Sequence, residues 1–230
     1  MDNRLLKLIT GFATLFLCQS ATATLLDFTD NSLISSLTTV SNGYSGTIDG
    51  IGFTLTSNDG SVNFNESYDG SSGAGCQSTS GILQCDRDGA GITDDEISGD
   101  GPVGSQTLTL TFDSVVSLSG FYFLDLYTNP RINNAREQAT ITLDGTLFDT
   151  VDAIGTVGDG GYADLIITPI LTQSIALTAV NDSIYWDDHN NDYAFAGVDV
   201  STASVPEPHT ILLLGAGLVG LVGAKRFKKT

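Results

Sequence analysis

The sequence predicts an all-β protein: an antiparallel, jelly-roll-like β-sandwich flanked by an N-terminal signal peptide and a C-terminal hydrophobic helix. Three observations carry that prediction. Between residues 24 and 200, short alternating or β-branched runs recur between turn residues, and no long stretch has helical periodicity. Asp-Gly pairs at Asp49-Gly50, Asp59-Gly60, Asp69-Gly70 and Asp144-Gly145 supply residues that tolerate positive φ where a chain reverses. The two ends differ in composition from this middle part, so they are set aside before domains are counted.

Nine runs read as strands: Ile48 to Thr56, Val62 to Tyr68, Gln106 to Phe112, Leu118 to Tyr127, Ala139 to Leu143, Leu147 to Val151, Ala163 to Thr168, Ser174 to Val180 and Tyr193 to Val200. In Gln106 to Phe112 the apolar side is Leu108, Leu110 and Phe112, with threonines opposite, which predicts one buried and one wet face. Ile141 to Phe148, centred on Asp144-Gly145, is the clearest hairpin. Only Asp30 to Leu37 reads as helical, with Asp30, Asn31 or Ser32 able to cap it. From Ser71 to Ser105 periodicity lapses into Gly, Ser and Asp, which predicts a functional or partly ordered loop rather than core.

Arg4 and Lys7 followed by the apolar run Leu8 to Leu17 have the form of a secretory signal peptide. Ala21 and Ala23 provide the small-x-small cleavage site, so residues 1–23 are the signal peptide and the passenger starts at Thr24. A lipoprotein reading through Cys18 meets Leu17 where a small residue is needed. The passenger, residues 24–200, is followed by a linker at 201–204, and this length is enough for one domain with a sizeable core. Of the chain's 27 acidic residues all but Asp2 and Glu207 lie in the passenger, against Arg87, Arg131 and Arg136 as its only cations. So acidic a surface excludes a nucleic-acid partner, because phosphate contacts need a basic footprint. Cys18 leaves with the signal peptide, and Cys76 and Cys85 remain as an even pair in an exported chain. Their disulfide would close a small loop and contribute about 2 to 3 kcal/mol in the chain-entropy account.

The C-terminal segment, residues 205–230, has three parts in order. Val205, Pro206, Glu207 and Pro208 form an extended peptide, since proline neither enters a helix interior nor lets its predecessor do so easily. Residues 211–224 form an apolar run whose helix would be about 21 Å long, short of the roughly 30 Å hydrocarbon core. It suffices as a brief membrane stop. Lys225, Arg226, Lys228 and Lys229 then set orientation, with the passenger outside and the terminus in the cytoplasm.

That order, behind a signal peptide and a secreted passenger, resembles the PEP-CTERM family of bacterial exported proteins. The passenger is similar in style as well, in Gly91 to Ile97 leading into Leu108 to Phe112 and in the closing Tyr193 to Val200. The resemblance implies recognition of Pro206 to Pro208 by an exosortase-like membrane enzyme and removal of the helix. It also implies delivery to the envelope, cell surface or extracellular matrix of a Gram-negative bacterium. The general secretion machinery is the other implied partner. In that reaction the chain is a substrate, and none of its residues is expected to be catalytic.

Other motifs carry less. Gly215-Ala216-Gly217-Leu218-Val219-Gly220 imitates a dinucleotide-binding turn but has no βαβ unit after it. Asp86 to Gly91 fails as an EF-hand at Ala90 and Ile97. The oxygen-rich stretch with Asp187, Asp188, Asn190 and Asp192 is a candidate Ca²⁺ site, with a solvated turn as the alternative; no other cofactor is expected. His189 and His209 are the only imidazoles, which argues against a serine triad or zinc site and for a non-enzyme. The alternative activity is a calcium-dependent carbohydrate-binding module that contacts extracellular polysaccharide. Its aromatic platform would be Tyr185, Trp186, Tyr127 and Tyr193, against a reading of Trp186 as core.

Overall fold

A computed structural model describes residues 23–68, 70, 83–93, 96–99, 105–129, 135–154, 160–179 and 191–203. The expected signal peptide, Cys76, most of the acidic turn and the whole sorting segment lie outside the described residues. The strands are β1 (Thr24–Asp27), β2 (Thr38–Val40), β3 (Gly43–Ile48), β4 (Ile51–Ser57), β5 (Val62–Asn63), β6 (Gly91–Ile92) and β7 (Thr107–Leu124), then β8 (Thr128–Asn129), β9 (Ala135–Arg136), β10 (Gln138–Leu143), β11 (Thr146–Asp152), β12 (Ala163–Ala179) and β13 (Ala194–Thr202). One helix, α1 (Asn31–Ser36), follows β1.

Two long strands build the architecture. Leu108 to Phe112 of β7 pair with β4 on one side and, over 107–111, with the end of β12 on the other; β10 and β11 continue beyond β12, and β3 and β2 beyond β4. From Val116 to Leu124, β7 pairs instead with the start of β12 and with β13, which carries β1 on its far side. The change of partners falls at 113–115 in β7, opposite the break in β12 register between Thr172 and Ser174; another break, between Ile166 and Ile170, lies farther along, opposite Ser119. Pro169 sits in the break opposite Ser119, where a residue without an N–H costs no ladder bond. The two long strands turn a corner at 113–115 of β7 and Gln173 of β12, and the two layers close face to face as a β-sandwich. Phe28, just after β1, meets Phe53 of β4 edge-on with centroids 6.1 Å apart, so the rings join one layer to the other. Phe28 also packs on Phe195 at 5.4 Å and Phe64 at 6.1 Å.

Local signals behave as the sequence predicts. Asp30 caps α1, its Oδ1 accepting from Ser32 N at 2.7 Å. Asp144 and Gly145 have φ of 47° and 80°, and Asp49 and Gly50 have 48° and 79°, the paired positive values that a tight hairpin between twisted strands requires. Leu108, Leu110 and Phe112 are buried.

Other expectations change. Gln106 to Phe112 and Leu118 to Tyr127 merge into one strand that ends at Leu124, and Ala163 to Thr168 and Ser174 to Val180 into another over the described part, because β7 and β12 pair with each other on both sides of the corner. The run from Ile48 to Thr56 is split by its own Asp49-Gly50 turn, which makes β3 and β4 a hairpin. Val62 to Tyr68 pairs only over Val62–Asn63. The supposed loop from Ser71 to Ser105 contributes core: Leu83, Ala90, Ile92 and Ile97 are buried. Its backbone bonds to the segment around β13, with Ala90 and Phe195 exchanging N–H···O bonds of 2.9 and 3.0 Å and Ile97 N donating to Tyr193 O at 2.7 Å. This segment also covers the outer face of the second layer, where Leu83 packs with Tyr122, Leu124, Ala194 and Ala196. Both faces of β7 are therefore dry from Phe121 to Leu124, unlike its first half. Among the described residues no helix is long and apolar enough to cross a membrane; the expected helix at 211–224 lies outside them.

Candidate functional site

Three groups of polar side chains are held in the sandwich, on the outer face of its second layer or at its ends. The first knots β1 to the segment that follows residue 83. Asp27 is buried, and its Oδ1 accepts from Thr29 N at 2.9 Å and Thr29 Oγ1 at 2.5 Å while Oδ2 accepts from Gln84 N at 2.8 Å. Thr29 Oγ1 in turn accepts from Cys85 N at 2.9 Å. Burial pushes the Asp27 carboxyl above its ordinary value, and these donors oppose the rise. Cys85 is disulfide-bonded, and its expected partner, Cys76, lies outside the described residues. The knot holds the segment on the sheet, and both Asp27 carboxylate oxygens have donors within it.

The second lies on the outer face of the second layer. Tyr122 Oη donates to Asp199 Oδ2 at 2.6 Å, and burial followed by that bond raises the phenol above its ordinary value. The third stands at the end of the sandwich away from the corner. Glu137, just before β10, accepts from Tyr127 N at 2.5 Å through Oε2, and Tyr127 Oη donates to Asp125 Oδ1 at 2.9 Å. Burial pushes the Glu137 carboxyl up to about 9, with the charges of Asp192 and Asp125 adding to the rise against the bond from Tyr127. At neutral pH this carboxyl is protonated.

The predicted calcium ligands meet this third group only at Asp192; Asp187, Asp188 and Asn190 lie outside the described residues. The neighbour Asn191 serves the fold, its Oδ1 accepting from Gln138 N at 2.7 Å and its Nδ2 donating to Gln138 O at 3.3 Å. No metal-binding group of His, Cys, Asp or Glu occurs among the described residues. The aromatic platform loses Tyr193, which is fully buried against Phe123 at 5.6 Å; Tyr127 is half-buried, and Tyr185 and Trp186 lie outside the described residues. Tyr193 read as exposed because it borders a polar turn, yet it enters β13 on the side facing the core. Asp27, Asp125 and Glu137 were missed, since nothing in their local sequence separates them from the other acidic residues.

The remaining predicted site is the C-terminal segment. Val205, Pro206, Glu207, Pro208, Lys225, Arg226, Lys228 and Lys229 lie outside the described residues, as do Ala21 and, in structural terms, all of the signal peptide before residue 23. What the fold fixes is their point of departure. β13 stays in the sheet to Thr202, opposite Val116, and only Ala203, Ser204 and Val205 separate it from Pro206.

Comparison with curated proteins finds no match. Among solved structures, a carbohydrate-binding module, CBM32-3, from a family 31 glycoside hydrolase of Clostridium perfringens is similar at 17% identity and a TM-score of 0.26, covering 50% of this chain and 72% of that one. The family model of the PEP-CTERM protein-sorting motif matches residues 204–226, the extended Pro-Glu-Pro peptide and the apolar run with the first two basic residues after it. The passenger is thus an antiparallel β-sandwich, and the chain carries a PEP-CTERM protein-sorting motif where that sandwich ends.

Proposed function

We propose that this chain is a non-enzymatic, acidic surface or extracellular-matrix protein, delivered and processed through Pro206-Glu207-Pro208 by an exosortase-like membrane enzyme. The observation that carries the proposal is the motif match at 204–226, directly after the last strand of the sandwich. In the proposed sequence of events the signal peptide engages the secretion machinery, and residues 211–224 halt in the membrane with Lys225, Arg226, Lys228 and Lys229 on the cytoplasmic side. The enzyme binds the extended Pro-Glu-Pro peptide and cuts the chain near it. The helix stays behind, and the passenger goes to the cell surface or matrix.

Mass spectrometry of the mature C-terminus from the native host tests this. A passenger ending near Pro206, and accumulation of the uncut chain in the Pro206→Ala variant, is the expected result. A mature protein that keeps Thr230 overturns it.

A further inference from the structure

Both ends of the sandwich leave at one place. Thr24, where β1 starts, pairs with Val200, and Thr202, where β13 ends, pairs with Val116 at the corner of β7. The Asp49-Gly50 turn of the other layer reaches the same place, since Thr24 Oγ1 donates to Asp49 Oδ2 at 3.0 Å. At the corner the two long strands expose Val115, at 45%, and Leu171, at 62%. Around them stand the exposed carboxylates of Asp49, Asp113 and Asp144.

Chain length then limits how the sorting motif can be reached. An extended residue spans at most about 3.5 Å, so Pro206 lies within roughly 14 Å of Thr202. Seven strands about 4.8 Å apart make the larger layer nearly 30 Å wide, with the second layer about 10 Å from it. No enzyme can hold Pro206 so close to a face of that size without lying against it. The apolar run starting at Ile211 is within about 30 Å of Thr202 by the same measure, so in the proposed reaction the corner is held within that distance of the membrane.

We infer that this corner, with Asp49, Asp113, Val115, Asp144 and Leu171, is a docking surface for the membrane processing enzyme, which presents to it an outward face carrying basic groups and an apolar footing. The inference rests on the proposed sorting reaction and adds to it a contact outside the motif. The occupant follows from the spacer: whatever binds Pro206 to Pro208 is forced against the corner. Its charge follows from complementarity to three exposed carboxylates with no cation of the described chain among them.

The test is a rate comparison in the native host or in membranes that process the parent chain, read by mass spectrometry of the C-terminus. Four proteins are needed: the parent, the Asp113→Lys/Leu171→Ser variant, the parent with twelve Gly/Ser residues inserted after Ala203, and the variant with that insertion. Thermal melting of each passenger checks that it is folded; should the double variant fail to fold, Leu171→Ser alone takes its place. At native spacing the variant is expected to be cut at least threefold more slowly than the parent. With the long spacer the two should be cut at equal rates, because the motif can then be bound clear of the corner. A variant cut as fast as the parent at native spacing overturns the inference, and so does a slowing that persists at full size with the long spacer. A parent that keeps Thr230 overturns the sorting reaction itself, a result distinct from the other two.

Discussion

Replacing Glu137 with Gln should stabilise the protein, and increasingly so as pH rises. The folded carboxyl is pushed up from an ordinary 4.5 to about 9, chiefly by burial and then by Asp192 and Asp125. A raised folded value means that the folded state holds a proton which the unfolded chain releases. Stability from this group is therefore whole below about pH 4.5 and is lost as pH climbs towards 9. Each pH unit in that window is worth at most about 1.4 kcal/mol, so at pH 7 the cost of keeping Glu137 protonated is bounded at about 3 kcal/mol. Partial relaxation around an incompletely buried group lowers this to about 1–2 kcal/mol. Gln needs no proton, keeps an oxygen for Tyr127 N, and turns an amide N–H₂ toward the acidic neighbours. Urea unfolding of parent and E137Q at pH 5, 7 and 8.5 gives the difference directly, and the subtraction removes the general repulsion among the other carboxylates. The expected difference is near zero at pH 5 and at least about 1 kcal/mol in favour of Gln at pH 8.5. An equal difference at both pH values would refute a buried, protonated Glu137.

Asp27→Ala should cost about 2–4 kcal/mol in denaturant unfolding, since it leaves Thr29 N and Gln84 N without their acceptor. The same variant should speed amide exchange at Gln84 and Cys85; unchanged exchange there would show that the knot does not hold that segment. Phe28→Ala removes the ring shared by Phe53, Phe64 and Phe195, and a loss of about 3–5 kcal/mol is expected by the same assay. Gly145→Val places a β-branched residue at φ 80° with no contact to relieve, so a loss of about 1–2 kcal/mol is expected, and a neutral result would contradict the turn geometry.

What could be read from the sequence was what neighbours in sequence decide. Asp30 caps α1 through Ser32, two residues on, and Asp144-Gly145 fixes a hairpin between adjoining runs. The sorting segment was legible for the same reason, because its three parts are contiguous and their order is the signal. The corner was not legible: whether Phe112 and Leu118 end two strands or lie in one depends on β12 running alongside both. The stretch from 83 to 99 looked like loop because its partners, Phe195 and Tyr193, come about a hundred residues later. Glu137 reads as one more solvated acid until Tyr127, Asp125 and Asp192 surround it. Asp27 likewise gains its role only when Gln84 arrives.

The pairing of Leu26 with Val198 has a further effect, on the timing of folding. It joins residues 172 apart, and β13 is the strand that links β1 to the rest of the sheet. Closing so long a loop is entropically slow and comes after local hairpins such as β3–β4 have formed. The second layer has no central strand until β13 emerges, and β13 is followed almost at once by the apolar run. In the proposed export, a chain threaded from its first residue would thus stay incomplete until β13 emerges, and it would gain its full set of ladder bonds only as residues 211–224 follow. Under that proposal, the position of a single strand brings folding and membrane arrest together in time.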